Sequence, residues 1–114
     1  MLKRTNDVND VVALFIETLR SKGVVPERVY MYGSQAKGTS RLGSDIDLVV
    51  VSPAFSEMPY WKRWEIVGDA LIEIMEPIEA ITLSPQEFTA KKERKTSFIY
   101  YVLNQPDTVD ICTI

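Results

Sequence analysis

The sequence predicts an α/β (α+β) fold, in which a small mixed β-sheet of three or more strands is flanked by helices. Apolar residues recur at helical spacing in several segments, and three short runs between them are rich in β-branched residues. These segments alternate in the order α-β-α-β-α-β-α, which is typical of a sheet covered by helices. A length of 114 residues suits one compact domain, residues 1–114.

The first half of the chain supplies a helix, a strand and a polar loop. Apolar side chains repeat every three or four positions in residues 8–19, and Gly23 follows as a stop signal, so a helix is predicted there. Residues 28–32, Arg-Val-Tyr-Met-Tyr, are typical of a strand that ends at Gly33. Residues 34–44 contain many turn formers and predict a loop with a short helix.

Two further strands are predicted at residues 45–52 and 78–83, and acids stand at the start of one face of each. With a period of two, the first strand points Ile46, Leu48 and Val50 one way and Asp45, Asp47, Val49 and Val51 the other. In the second strand Glu79 shares a face with Ile81 and Leu83. If the strands are neighbours and these faces align, three carboxylates converge.

Two helices are predicted in the second half. One runs from Trp61 to Met75 and ends before Pro77; its apolar positions are Trp61, Trp64, Val67 or Gly68, Leu71 and Met75. Trp61 and Trp64 are expected in the core or an interface, and stacking on a base is the alternative. The other begins with a capping box, Ser84-Pro85-Gln86-Glu87, and is expected to run into residues 98–103. The tail after Pro106 has no assignment.

The composition excludes several kinds of chemistry. The chain has no histidine and one cysteine, Cys112, which excludes imidazole bases, zinc clusters and structural disulfides. A net charge of −3 argues against a general nucleic-acid binder. No apolar stretch is long enough to cross a membrane and no signal peptide is recognisable, so we expect a cytoplasmic protein.

Three acids without histidine favour a hard divalent cation. Two acids side by side on a partly buried strand repel each other unless they lie in water or a cation lies between them, and both readings are open. Magnesium prefers carboxylate oxygens, retains waters and is completed by substrate phosphates. If the acids converge, Mg²⁺ or Mn²⁺ at Asp45, Asp47 and Glu79 is the predicted cofactor.

The run from Gly33 to Leu48 strongly resembles the signature of the DNA polymerase beta-like nucleotidyltransferases. That signature is a hydrophobic residue, Gly, Gly or Ser, about ten residues, and acid-hydrophobic-acid, with a third acid on a later strand. Here Tyr32 precedes Gly33 and Ser34, ten residues separate Ser34 from Asp45, and Glu79 lies in a later strand. The chain looks most like the minimal nucleotidyltransferases, which are often paired with HEPN-domain proteins.

The resemblance implies transfer of a nucleoside monophosphate, most simply AMP from ATP, to a hydroxyl. Asp45, Asp47 and Glu79 would be the catalytic, metal-binding acids. The residues implied in holding the phosphates are Gly33, Ser34, Lys37, Arg41 and Ser44. For Lys37 and Arg41 a solvated role is equally open, and relatives often carry Arg at the position of Lys37.

The resemblance also implies a partner protein as acceptor, with this chain acting as an antitoxin that modifies a HEPN-domain toxin. Two alternatives stay open: a non-catalytic antitoxin that binds its partner, and a small-molecule, aminoglycoside-like adenylyltransferase. A homo-oligomer is possible, because apolar residues near the C-terminus suggest an interface: Tyr100, Tyr101, Ile111 and Ile114. The basic residues Lys91, Lys92, Arg94 and Lys95 are expected to be solvated.

Overall fold

The structure, a computed structural model, describes residues 8–33 and 45–111. Its elements, in chain order, are α1 (Val8–Ser21), β1 (Arg28–Tyr32), β2 (Ile46–Val51), a 3₁₀ helix (Pro53–Glu57), α2 (Tyr60–Ile74), β3 (Ile78–Leu83), α3 (Pro85–Lys92), α4 (Phe98–Leu103) and β4 (Val109–Ile111). The short helix predicted within residues 34–44 lies outside the described residues. None of the described helices is long and apolar enough to span a bilayer.

The four strands form one mixed sheet in the order β3-β2-β1-β4. Strand β1 is antiparallel to both β2 and β4, whereas β2 and β3 are parallel. The parallel pair requires a crossover connection, which the 3₁₀ helix and α2 supply. The predicted mixed sheet flanked by helices is therefore confirmed.

Each face of the sheet carries its own core. Helices α1 and α2 cover one face, where Phe15 and Leu19 pack against Leu48 and Val50. Helices α3 and α4 cover the other, where the buried residues include Tyr30, Val49, Val51, Phe88 and Val102. Because β2 is buried on both faces, its sequence is a continuous apolar run after Asp47. Asp47 belongs to the α3/α4 face.

The C-terminal third differs from the prediction in two ways. The expected single helix is two, because Ser97 begins a new one: its hydroxyl accepts a hydrogen bond from the Tyr100 backbone and donates one to the carbonyl of Lys91. Lys91 and Lys92 therefore end α3, while Arg94 lies in the turn that follows. The tail also adds strand β4, which the sequence did not predict.

Of the apolar positions named above, only Val67 and the partly buried Leu71 lie on the face of α2 that meets the core. Its buried residues are Arg63, Val67 and Ala70, whereas Trp61 and Trp64 are exposed. As predicted, the helix ends before Pro77: its last residue is Ile74, and Met75 follows in a left-handed conformation with φ 58°. The aromatic pair at the start of α2 therefore contributes little to the core of the single chain.

Arg63 is the centre of a buried polar cluster that joins four elements. Its guanidinium lies 2.8 Å from the Glu87 carboxylate and donates to the carbonyls of Phe55, Met58 and Thr82. Its side chain is only 4% exposed. Glu87 also accepts a hydrogen bond from the Ser84 backbone and completes the predicted capping box. Such a charge is tolerated in the core because its donors are satisfied.

Candidate functional site

Two of the predicted acids, Asp47 and Glu79, lie side by side on one face of the sheet. They are register partners on the parallel strands β2 and β3, so their side chains project in the same direction. The two carboxyl groups are close enough to share a hydrogen bond. The glutamate therefore lies on the same surface as Asp47, whereas Asp45 does not join these two acids in a group of three that could hold a metal ion.

The pKa of Asp47 is raised by burial and by negative charge that is concentrated around its carboxyl group. Burial raises the pKa of Asp47, the negative charges of Glu79 and then Asp45 raise it further, and the hydrogen bond shared with Glu79 adds to the effect. Asp45, just before β2, is exposed, whereas Asp47 is half-buried. A positive ion between these groups would stabilise the ionised form of Asp47 that its neighbours disfavour.

Gly33 lies directly against Asp47, and any other residue at this position would force the neighbouring atoms to move. Its φ is +79°, a left-handed conformation that costs an L side chain energy. A Cβ added to Gly33 would also collide with the Asp47 carboxylate. The glycine of the Gly-Ser motif is therefore required twice over, once by its backbone conformation and once by the closeness of an acid.

Tyr32 forms the third wall of the acidic centre. It is the register partner of Asp47 on β1, on the side of β2 away from Glu79. Burial first, and then the negative charges of Asp47 and Glu79, raise the pKa of Tyr32 to about 12. The phenol therefore keeps its proton at neutral pH and is available as a hydrogen-bond donor beside the two acids.

An aromatic cavity of about 220 Å³ adjoins this centre. Phe98 is in edge contact with Tyr32, with ring centroids 5.6 Å apart, and stacks on Tyr101 at 5.9 Å. The lining residues are Tyr32, Gly33, Phe98, Tyr101, Val102, Gln105, Asp107 and Thr108. A planar ring could lie against its aromatic walls while the polar residues meet the ring's edge.

The remaining predicted phosphate-binding residues, Ser34, Lys37, Arg41 and Ser44, lie outside the described residues. Over residues 8–33 and 45–111, no group of three or more His, Cys, Asp or Glu side chains is arranged to hold a metal ion by itself. A close pair of carboxylates nevertheless fits magnesium, which typically takes one or two protein carboxylates together with waters and substrate phosphates. The donor set fits a cation completed by substrate.

The sequence did not predict the roles of Tyr32 and Phe98 at this site. A signal for Tyr32 was present, because the period of β1 places it on the same face as Tyr30 and next to Gly33 of the Gly-Ser motif. For Phe98 there was no such signal, because its position depends on the turn that separates α3 from α4. Tyr101, one of the apolar residues near the C-terminus named above, is 56% exposed and lines the cavity.

The fold and the site together define a small α/β domain with an acidic centre, flanked by a glycine turn, on one face of its sheet. Residues 12–114 match the family model described as a nucleotidyltransferase domain. That match covers most of the chain, so the chain belongs to the nucleotidyltransferase domain family. None of the curated proteins matches the chain in sequence.

Two solved structures are similar to the chain. A candidate nucleotidyltransferase from Sulfolobus solfataricus is 22% identical, with a TM-score of 0.56 over 99% of this chain and 92% of that one. At this identity it supports the fold alone. A toxin-antitoxin crystallised with AMP-PNP is 24% identical, with a TM-score of 0.47 over 61% of this chain and 55% of that one. We infer nothing about function from that second match.

Proposed function

We propose that the chain transfers a nucleoside monophosphate, most simply AMP from ATP, to a hydroxyl group of an acceptor. The observation that carries the proposal is the pairing of Asp47 with Glu79 beside Gly33 in a member of the nucleotidyltransferase domain family. Like charges in contact on neighbouring strands cost stability, so a chain gains by keeping them only where a ligand uses them.

The position of each residue indicates whether it would bind the cation or the phosphates. Asp45 and Asp47 at the start of β2, with Glu79 on β3, would hold the divalent cation Mg²⁺ or Mn²⁺. When bound, that cation supplies positive charge that neutralises the triphosphate and favours departure of pyrophosphate. Gly33 and Ser34 would bind the phosphates through backbone N–H groups and a hydroxyl, with Lys37, Arg41 and Ser44 as further candidates.

The transfer itself makes one bond and breaks one. The acceptor oxygen bonds to the α-phosphorus of ATP. The bond between the α-phosphorus and the oxygen that bridges to the β-phosphate breaks, and pyrophosphate leaves with that electron pair. The acceptor hydroxyl loses its proton, which the acidic pair or solvent takes up. Because Tyr32 keeps its own proton at neutral pH, it would act as a donor to the nucleotide or to the acids, and not as a base.

The aromatic cavity supports a nucleotide as donor. Its wall of Tyr32, Phe98 and Tyr101 begins next to Gly33, so a base could stack there while the phosphates reach the acids. Base–aromatic stacking is worth roughly 1–3 kcal/mol and tolerates any base. Shortening Phe98 to alanine should therefore raise the KM for ATP more than it lowers kcat.

For the acceptor, the resemblance to the minimal nucleotidyltransferases favours a HEPN-domain protein, in the manner of an antitoxin that modifies its toxin. Radiolabelled ATP, Mg²⁺ and a candidate HEPN-domain partner would be incubated with the wild-type chain, and label on the partner measured. A binding module would hold the partner without labelling it. An aminoglycoside in place of the partner would test the small-molecule alternative.

The variant Asp47→Asn tests the site directly. It keeps the size of the side chain but removes a ligand charge, so label transfer should fall by at least about a thousandfold, whereas the fold should be retained. Glu57→Gln, a matched change of an exposed acid at the end of the 3₁₀ helix, should leave transfer unchanged. Undiminished transfer by Asp47→Asn would refute the proposed role of the acids.

A further inference from the structure

The outer surface of α2 carries an apolar stripe that the single chain does not cover. It consists of Trp61, Trp64, Gly68, Ile72 and Met75, and the four large side chains are between 65% and 81% exposed. At about 100° per residue the four positions within the helix, from Trp61 to Ile72, fall within roughly 80° of arc, and Met75 follows directly after the last turn. The buried face of α2, around Val67 and Ala70, points away from it.

The stripe is symmetric about its own glycine. Trp61 lies seven residues before Gly68 and Met75 seven residues after it, while Trp64 and Ile72 lie four residues before and after. A second α2 laid antiparallel across Gly68 would therefore place Trp61 against Met75, Trp64 against Ile72 and glycine against glycine. A twofold interface requires this reciprocity, in which each pairing occurs twice.

Within residues 8–33 and 45–111, no contact or backbone conformation requires a glycine at position 68. Its φ is not in the left-handed region, and a Cβ added there would meet no atom within 4 Å. Alanine at this position would stabilise the helix by roughly 1 kcal/mol relative to glycine. A glycine at a helix crossing, however, lets two helices approach at the short end of the usual range of about 8–10 Å. Its advantage lies in a contact with another molecule.

The size of the stripe suits a dimer. Its four large side chains expose on the order of 600 Å² in each copy, so two copies would bury at most on the order of 1,200 Å² from these residues, the lower end of stable interfaces. Tryptophan is also the residue type most enriched among those that dominate binding energy.

We infer that the chain forms a twofold dimer through this stripe, with two α2 helices antiparallel and crossing at Gly68. Helix α2 covers the face of the sheet opposite to Asp47, so the dimer leaves both acidic centres open. The dimer and the proposed transfer are therefore independent: loss of either would leave the other standing.

Sedimentation velocity over a range of protein concentrations tests the dimer. The wild-type chain should sediment with twice its mass of 13.0 kDa at concentrations of about 10 μM. Trp64→Ala should weaken association at least about thirtyfold, because both copies lose a central anchor. Leu14→Ala, which removes an exposed apolar side chain from α1, should leave it unchanged. A wild-type chain that stays monomeric at about 100 μM overturns the inference.

Gly68→Ala distinguishes a role of the glycine in the dimer from a role within the single chain. In the wild-type background it should weaken association at least about tenfold, because the added methyl group holds the helices apart. In the monomeric Trp64→Ala background it should instead raise the urea midpoint, because alanine favours the helix. Unchanged association of Gly68→Ala would contradict the close crossing.

Cysteine pairing tests the register. In a Cys112→Ser background, Trp61→Cys protein mixed with Met75→Cys protein should give a disulfide-linked heterodimer under mild oxidation. Each protein alone should cross-link far more slowly, because Trp61 of one copy faces Met75 and not Trp61 of the other. Efficient cross-linking of Trp61→Cys with itself would rule out the antiparallel pairing at Gly68.

Discussion

Two acidic sites at opposite ends of β3 show opposite electrostatics. At one end Glu87 meets Arg63: burial alone raises the pKa of Glu87, but hydrogen bonds from Arg63 and the Ser84 backbone, with the charge of Arg63, lower it to about 2. At the other end Asp47 meets Glu79, and every contribution raises the pKa of Asp47. The first site is neutralised within the chain, whereas the second would be neutralised by the cation proposed above.

The difference separates a role in stability from a role in function. The Arg63 cluster joins α2, β3, α3 and the 3₁₀ helix, and in the described part of the chain no buried side-chain donor or acceptor lacks a partner. At the second site the negative charges of Glu79 and Asp45 both disfavour the ionised form of Asp47. Removing an acid should therefore destabilise the fold at the first site and stabilise it at the second.

Glu87→Ala is the largest expected effect on stability. It leaves the Arg63 guanidinium buried without its counter-ion and also removes the capping box, so the free energy of unfolding should fall by about 3 kcal/mol. Urea unfolding at pH 7 would measure it. Ser84→Ala, which removes mainly the cap, should cost only about 1 kcal/mol. Equal losses for the two variants would show that the ion pair contributes little.

The Arg63–Glu87 site should make the free energy of unfolding decrease at acidic pH. The pKa of Glu87 in the folded chain is below that of the unfolded chain, so its stabilising effect is complete above about pH 4.5 and is lost as the pH falls towards about 2. Glu87→Gln keeps the cap geometry but cannot titrate. Its unfolding free energy should therefore vary less than that of the wild type in this window, as measured by urea unfolding at successive pH values.

Gly33→Ala tests how tightly the chain surrounds the acidic pair. The left-handed backbone should cost about 1–2 kcal/mol, and displacement of the Asp47 carboxylate should add to it and abolish nucleotide transfer. Gly23→Ala is a matched control, since Gly23 also has a positive φ of 91° but its Cβ would meet nothing within 4 Å. That variant should lose only the backbone contribution and keep full transfer.

Local sequence predicted most of the elements because each carries its own signal. The three strands 28–32, 46–51 and 78–83 are short runs rich in β-branched or aromatic residues whose side chains alternate between the two faces with a period of two, and the capping box marks the start of α3. The face shared by Asp47 and Glu79 also followed from that period, once the strands were assumed to be neighbours. Their adjacency itself depends on the crossover through α2, which no local pattern specifies.

The elements that were missed depend on contacts distant in sequence. Strand β4 is three residues long and exists because β1 offers it an edge, so its own sequence carries almost no signal. The sequence did not predict Arg63 on the buried face of α2, because a charged residue is stable in the core only when its donors are satisfied. Here Glu87 and three backbone carbonyls, distant in sequence or in other elements, satisfy them. The aromatic cavity likewise depends on where the turn before Phe98 places its ring.

Glu79→Gln is the smallest expected effect and the sharpest test of the comparison. In metal-free buffer at pH 7 it removes the repulsion opposite Asp47, so the free energy of unfolding should rise by about 0.5 kcal/mol, although nucleotide transfer should be lost. Glu57→Gln changes the net charge equally without a neighbouring acid and should leave stability nearly unchanged.

Magnesium should then reverse the order of stability. Added Mg²⁺ with a non-hydrolysable ATP analogue should raise the melting temperature of the wild type, because a ligand that binds only the folded state stabilises it. Glu79→Gln should gain less, since one carboxylate that would hold the cation has become an amide. If Glu79→Gln lowers stability in metal-free buffer, the two acids support each other through their shared hydrogen bond, and the contrast with the Arg63 site disappears.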